Sequence, residues 1–278
     1  MKITALAENT SCKEGIKAEH GLSLLIETQE KTILFDTGAS DLFAQNAKML
    51  AINLAKVDFA VLSHGHYDHS GGMKTFLELN SKAPIYLRKS AFGPYYAERE
   101  GGKNEFIGVD QSLLTNNRVI ITGKETPLGK GLSLFSNVKG DRFFPTGNKS
   151  LLKKTEGGYE KDDFSHEQNL VIEEDGVSLL VSGCSHRGIV NIVDHFHTLF
   201  GHYPTHVIGG FHLYNHRTGK PESTETLHQI ADALLASGAT YYTCHCTGEE
   251  NYRVLRTFMG DKVEYLSGGK TLDLGAAE

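Results

Sequence analysis

Apolar residues cluster in short runs over the first third of the chain, at positions 3–7, 22–27 and 31–35. Runs of this length, rich in Ile, Leu and Phe and bounded by polar residues, predict strands, and Gln29-Glu30 between the last two predicts a hairpin turn. Leu34-Phe35-Asp36-Thr37-Gly38 ends its strand in a turn that presents Asp36 at a strand tip. Leu42, Phe43, Ala47 and Leu50 then fall near helical spacing and predict a helix over 41–51, followed by a short buried strand at 59–62. From about 90 to 167 the pattern weakens. Gly101-Gly102, Gly157-Gly158 and charged pairs interrupt it repeatedly, which predicts mobile loops over a site.

Regular patterning returns at 169–173 and 177–181, two apolar runs separated by Glu174-Asp175-Gly176, a hairpin signal. The stretch 188–200 carries Ile189, Val190, Val193, Phe196 and Phe200 on one helical face, and Gly201 is placed to end it. A strand over 205–209 runs into Gly210-Phe211-His212. Ser223 can cap a helix through 237, with Leu227, Ile230, Ala231, Leu234 and Leu235 as its buried stripe and Gly238 as its stop. The last internal strand, 241–243, leads into Cys244-His245-Cys246. Four separate strand ends therefore each deliver histidine. Both halves of the chain share one plan, strands followed by helix-strand alternation, and no composition break marks a linker. The expectation is a single domain over 1–278 built of two αβ halves.

Composition narrows the function classes. A hydrophobic content of 39% supports a well-buried core, and a net charge of −6 with no basic stripe argues against nucleic-acid binding. The opening residues carry too short an apolar run for a secretory signal, and no run of about 18 apolar residues occurs, so a cytoplasmic protein without membrane attachment is expected. Four cysteines are too few for a disulfide framework, whereas 14 histidines favour metal or proton chemistry.

The chemistry concentrates in Ser63-His64-Gly65-His66-Tyr67-Asp68-His69-Ser70-Gly71-Gly72, directly after a strand. His64 and His66, two apart in extended chain, point the same way and can clasp one ion. Asp68 and His69 sit on the following turn, within reach of a second. Two adjacent divalent ions polarise a substrate oxygen and lower the pKa of a shared water towards roughly 7. Asp68 can hold metal and orient that water.

His64-x-His66-x-Asp68-His69, with Asp36 in Phe-Asp-Thr-Gly, resembles the signature of the metallo-β-lactamase superfamily, and the resemblance spans nearly the whole chain. It implies an α+β fold, a four-layer αββα sandwich with the metals at the edge of two packed sheets. The resemblance also implies further ligands at later strand tips. Cys184 stands where many members carry a bridging Asp and some a Cys. His186 can reach the same ion and is preferred, since imidazole suits either ion without fixing its charge. His245 matches the last ligand. His212 resembles a strand-tip histidine that some members use as a proton donor, although a ligand role fits it too. His166 stands where many members place a third ligand for the first ion, so which of His166, Cys184 and His186 completes the set is open.

A narrower resemblance rests on that motif together with Gly183-Cys184-Ser185-His186-Arg187-Gly188-Ile189-Val190-Asn191, Gly209-Gly210-Phe211-His212-Leu213 and Cys244-His245-Cys246-Thr247-Gly248. These motifs are similar to a dihydropteroate-synthase-like subgroup, the 7,8-dihydropterin-6-ylmethyl-4-(β-D-ribofuranosyl)aminobenzene-5′-phosphate synthases. The first expectation is a hydrolase using two divalent ions, zinc first with manganese or iron compatible, against a phosphoester or related small molecule. The alternative is a transferase joining a pterin methylene to an arylamine ribofuranosyl phosphate, where the metals neutralise a leaving diphosphate. A metal-dependent binding or sensing module is a third reading. Arg187, beside His186, is a candidate phosphate grip and Tyr67 a candidate donor to a substrate oxygen.

Overall fold

The computed structural model describes residues 1–215 and 217–275. Two seven-stranded sheets carry the chain. In the first, Thr271–Asp273, Lys2–Ala7, Ser23–Glu27 and Thr32–Phe35 are antiparallel neighbours, and Phe59–Val61, Ile85–Arg88 and Val119–Thr122 continue in parallel. The second repeats that plan. Glu125–Gly129, Leu132–Ser136, Gln168–Glu174 and Val177–Val181 pair antiparallel, and His206–Gly209, Thr240–Thr243 and Val263–Tyr265 add in parallel.

Parallel neighbours need crossovers, and helices supply them. Leu42–Met49 and Met73–Leu79 connect strands of the first sheet, and Ile189–Phe200, Thr224–Leu235 and Glu249–Met259 those of the second. Strand side chains alternate, so each strand feeds two cores. Leu24, Ile26, Ile33 and Phe35 meet Leu170, Ile172, Leu179 and Val181 between the sheets. On the opposite faces, Leu25 and Leu34 pack with Phe43 and Ala47, and Val171 and Leu180 with Ile192, Val193 and Phe196. Helix, sheet, sheet, helix is therefore the order of layers, as the α+β expectation required.

The predicted hairpins form: Glu27 pairs with Thr32 around Gln29-Glu30, and Glu174 with Val177. Gly201 ends its helix in the left-handed region (φ 78°), where glycine pays no Cβ penalty, and the Ser223 side chain accepts from the Thr226 N–H. The expectation of loops over 90–167 is corrected. Tyr95–Glu98, Asn104–Phe106, Leu151–Thr155 and Gly158–Lys161 form a separate four-stranded antiparallel sheet, and strands beginning at Val119, Glu125 and Leu132 join the main sheets. The glycine pairs that broke the pattern are turns of these hairpins, and outward Lys and Glu side chains hide the alternation. Among the described residues no helix is long and apolar enough to cross a membrane.

Leu179, fully buried between the sheets, should cost about 2–5 kcal/mol when replaced by Ala, whereas Ser223→Ala should cost about 1 kcal/mol. Urea denaturation of both variants checks the contrast. Equal losses would contradict this assignment of the core.

Candidate metal centre

Parallel strands end at one edge, so the tips of Phe59–Val61, His206–Gly209 and Thr240–Thr243, with that of Val177–Val181, bring their following residues together. The two sheets are joined there by the Gln168 N–H, which donates to Ser63 O at 2.8 Å. Close approach is needed too. A side chain at Gly183 would drive into the Ser63 hydroxyl and the His64 ring.

His64, His66 and His186 each offer a ligand atom, all within 4.8 Å of one another, and all three are buried. Asp68 and His245 lie on the other side, with Asp68 Oδ2 3.4 Å from His245 Nε2 and 4.0 Å from His69 Nε2. Cys184 sits between the two groups, its Sγ 3.1 Å from His69 Nε2 and within 4.8 Å of ligand atoms of His186, His212, His245 and Cys246.

Hydrogen bonds on the far side of each ring fix which nitrogen carries the proton. Asp36 Oδ2 receives His69 Nδ1–H at 2.6 Å and the Ser63 hydroxyl at 2.6 Å; Ser63 Oγ in turn accepts from His64 Nδ1–H at 2.9 Å. The Asn148 amide donates to the His186 carbonyl, which turns its Oδ1 toward His186 Nδ1 at 2.9 Å. Asn9 Oδ1 accepts from the Gly21 N–H and from His245 Nδ1–H at 2.7 Å. The Nε2 atoms of His64, His69, His186 and His245 thus present lone pairs inward.

The result is acceptors facing acceptors: His64 Nε2 lies 3.3 Å from His186 Nε2, and His245 Nε2, buried without a hydrogen bond, faces a carboxylate oxygen. Burial keeps the rings from relieving this by protonation. It pushes His64 and His186 well below the usual imidazole range, with neighbouring histidines adding to it, lowers His66, and takes His245 down to about 3. His69 goes the other way: burial opposes its charge, but the carboxylates of Asp36, Asp68 and Glu167 together raise it. Asp68 is held well below the carboxylate range, against its burial, by His69, His20 and His245. Burial pushes the Cys184 thiol well up, so it ionises only beside a cation. Facing lone pairs, a carboxylate and a thiol suit divalent ions with a taste for nitrogen and sulfur.

Loop anchors hold the tips. Glu167 accepts from the backbone N–H of His186 and Arg187, and Glu8 from that of His245. Ser185, His212, His245 and Asp36 all adopt left-handed backbone (φ 50–61°), unusual outside glycine and concentrated here at the site.

His166 supports the site from behind. Its Nδ1 accepts from the Gly65 N–H at 2.9 Å and its Nε2 lies 2.9 Å from Asp162 Oδ2, so both nitrogens are engaged and His186 is the ring beside His64. His212 lines the cleft with its ring centroid 4.2 Å from that of His186. Tyr67 also lines it. Arg187 does not: its guanidinium lies over the Phe144 ring and donates to Gly140 O. Among the described residues, Arg99 and Arg217 are the arginines that line the cleft. Sequence reading missed both, along with His20 and Cys246 as members of the cluster, because none of the four stands in a spacing that predicts where the fold brings it.

The model of the metallo-beta-lactamase superfamily matches residues 16–219. The chain is 29% identical to the 7,8-dihydropterin-6-methyl-4-(beta-D-ribofuranosyl)-aminobenzene-5'-phosphate synthase of Methanocaldococcus jannaschii, over 98% of this chain and 96% of that one. It is 30% identical to protein MJ0448 of the same organism, over 88% and 90%. Among solved structures, Tm1679, described as a metal-dependent hydrolase of the beta-lactamase superfamily, covers 99% of both chains at 32% identity with a TM-score of 0.82. Zn(2+)-bound PqqB from Methylobacterium extorquens shares the fold, with a TM-score of 0.58 at 13% identity over 99% of this chain and 100% of that one. Family model, relatives and architecture agree that this chain belongs to the metallo-β-lactamase superfamily.

Proposed function

We propose that the protein is a metal-dependent hydrolase that uses a two-ion site to act with water on a phosphoester or related small anionic substrate. The observation that carries this reading is the pair of acceptor-to-acceptor contacts, His64 with His186 and His245 with Asp68, at the floor of an open cleft. His64, His66 and His186 would hold one ion, and Asp68, His69 and His245 the other, with Cys184 between them. Zinc is the first metal to test, and manganese or iron fits the same ligand types. When bound, such ions supply Lewis-acid polarisation and a nucleophile available near neutral pH.

The protein's own groups divide the remaining work. Asp36 and Ser63 keep His64 and His69 oriented. His212, at the cleft wall beside His186, can hand a proton to a departing oxygen. At the mouth, Arg99 is paired with Glu105 at 2.7 Å and Arg217 with Glu98 at 3.1 and 3.2 Å. These are solvent-screened surface pairs worth little, so a substrate phosphate can replace the carboxylates at small cost. Tyr67 offers a hydroxyl on the same rim.

A second reading has its own support. The likeness to the pterin-phosphate synthase runs through nearly the full length of both chains. On that reading ions held by the same residues would neutralise a leaving diphosphate while an arylamine attacks a pterin methylene. Metal-loaded protein that releases product from a phosphoester panel with water alone supports the hydrolase. Turnover that requires an arylamine acceptor supports the transferase instead.

His66→Ala and Asp68→Ala should each lose bound metal and abolish turnover while circular dichroism stays unchanged. Unaltered metal content by elemental analysis would refute the ligand assignment. His212→Gln should lower kcat by about 10²–10⁴ with both ions retained, the usual range for a general acid. Loss of one metal equivalent would make His212 a ligand. Arg217→Ala should raise KM for a phosphorylated substrate, and Arg187→Ala should not; steady-state kinetics on both variants decides between the two arginines.

A further inference from the structure

His20 precedes the Ser23–Glu27 strand on a loop that no histidine-rich spacing marks, yet its Nε2 lies 3.2 Å from Asp68 Oδ2. Its ring centroid is 4.8 Å from that of His245, and it lines the cleft. The loop is fixed on both sides of it. The Glu19 carboxylate accepts from the N–H groups of Ala39 and Ser40 and from the Ser40 hydroxyl, and the Leu22 N–H donates to the carbonyl of Asp68 itself.

Asn9 determines which nitrogen of His20 carries hydrogen. Its Oδ1 is identified by the backbone N–H of Gly21, which can only donate, and the same oxygen takes His245 Nδ1–H. Its Nδ2 is therefore the atom 3.4 Å from the His245 carbonyl and 3.3 Å from His20 Nδ1. An amide N–H facing Nδ1 makes Nδ1 an acceptor. The ring proton then sits on Nε2, against Asp68.

We propose that His20 is a positioning residue of the metal centre, donating Nε2–H to Asp68 Oδ2 and holding that carboxylate oxygen opposite the lone pair of His245 Nε2. One carboxamide, that of Asn9, sets both rings, His245 as a lone-pair donor to the ion and His20 as a hydrogen-bond donor to the neighbouring ligand. The half-site of Asp68 and His245 is thus closed by the loop before the Ser23–Glu27 strand, whereas that of His64, His66 and His186 is built from strand tips. The role deepens the two-ion reading and rests on it. Partners that orient a ligand in this way are worth about 10–100-fold in metal affinity.

The test uses full-length protein. Stepwise Co²⁺ titration followed by absorbance should give two binding events in the wild type. His20→Phe should weaken one of them by about 10–100-fold and leave the other in place. His20→Gln, whose amide N–H₂ can reach the position of Nε2–H, should recover most of that loss. A direct ligand role would not be rescued by Gln, and a packing role would be satisfied by Phe, so equal weakness of both variants or wild-type affinity of His20→Phe overturns the proposal. A wild type that takes up one ion or none overturns the two-ion reading. ¹⁵N NMR of the His20 ring in metal-free wild type tests the donor separately: the Nε2–H tautomer is expected, and the Nδ1–H tautomer overturns it.

Discussion

Imidazole lone pairs aimed at one another in a dry interior repel, and the region around the cleft is organised to hold them so. Each inward nitrogen requires its ring to keep a proton on the opposite side, and that proton requires an oxygen. Ser63, Asp36, Asn148 and Asn9 provide those oxygens for His64, His69, His186 and His245, in that order. For His64, His186 and His245, burial then removes the easy escape, protonation, by penalising the charged ring. The polar network around the site is therefore a condition for the rings of His64, His186 and His245 to face inward uncharged, and every member has to be satisfied for the arrangement to persist.

The sheets make this possible because parallel strands deliver their ends to one edge. Two sheets with the same plan, packed through Leu24, Phe35, Leu170 and Leu179, place both sets of tips side by side. Backbone cost follows. Asp36, Ser185, His212 and His245 occupy left-handed conformations at about 1–2 kcal/mol each, and the buried carboxylates of Glu8 and Glu167 tie down the loops that carry the histidines. Burial raises the pKa of Glu167, opposed by the N–H groups it accepts from, so its value to the fold lies in the geometry it imposes on His186 and Arg187.

Above this floor, the four-stranded sheet starting at Tyr95 and the Lys220–Pro221 hairpin region bring Arg99 and Arg217 to the rim. On the proposed reading, directed lone pairs at the floor would hold ions and the arginines at the rim would meet an anionic substrate, in a hydrolase or in a transferase, since each reaction would develop negative charge beside the same ions.

His64, His66, Asp68 and His69 were legible in the sequence because their spacing is local: strand alternation and one tight turn suffice to cluster them. The hairpins around Gln29-Glu30 and Glu174-Asp175-Gly176, the Gly201 stop and the Ser223 cap were legible for the same reason. Exposed strands over 90–167 were not, because outward Lys and Glu erase the alternation that marks a half-buried strand. The choice among His166, Cys184 and His186, the turning of Arg187 away from the cleft, and the arrival of His20, Cys246, Arg99 and Arg217 depend on contacts between residues up to hundreds of positions apart, and such contacts exist only once the two sheets have packed. Short-range spacing determined that this chain gathers side chains able to ligate metal; the packing of one sheet on the other decided which of the later residues face them.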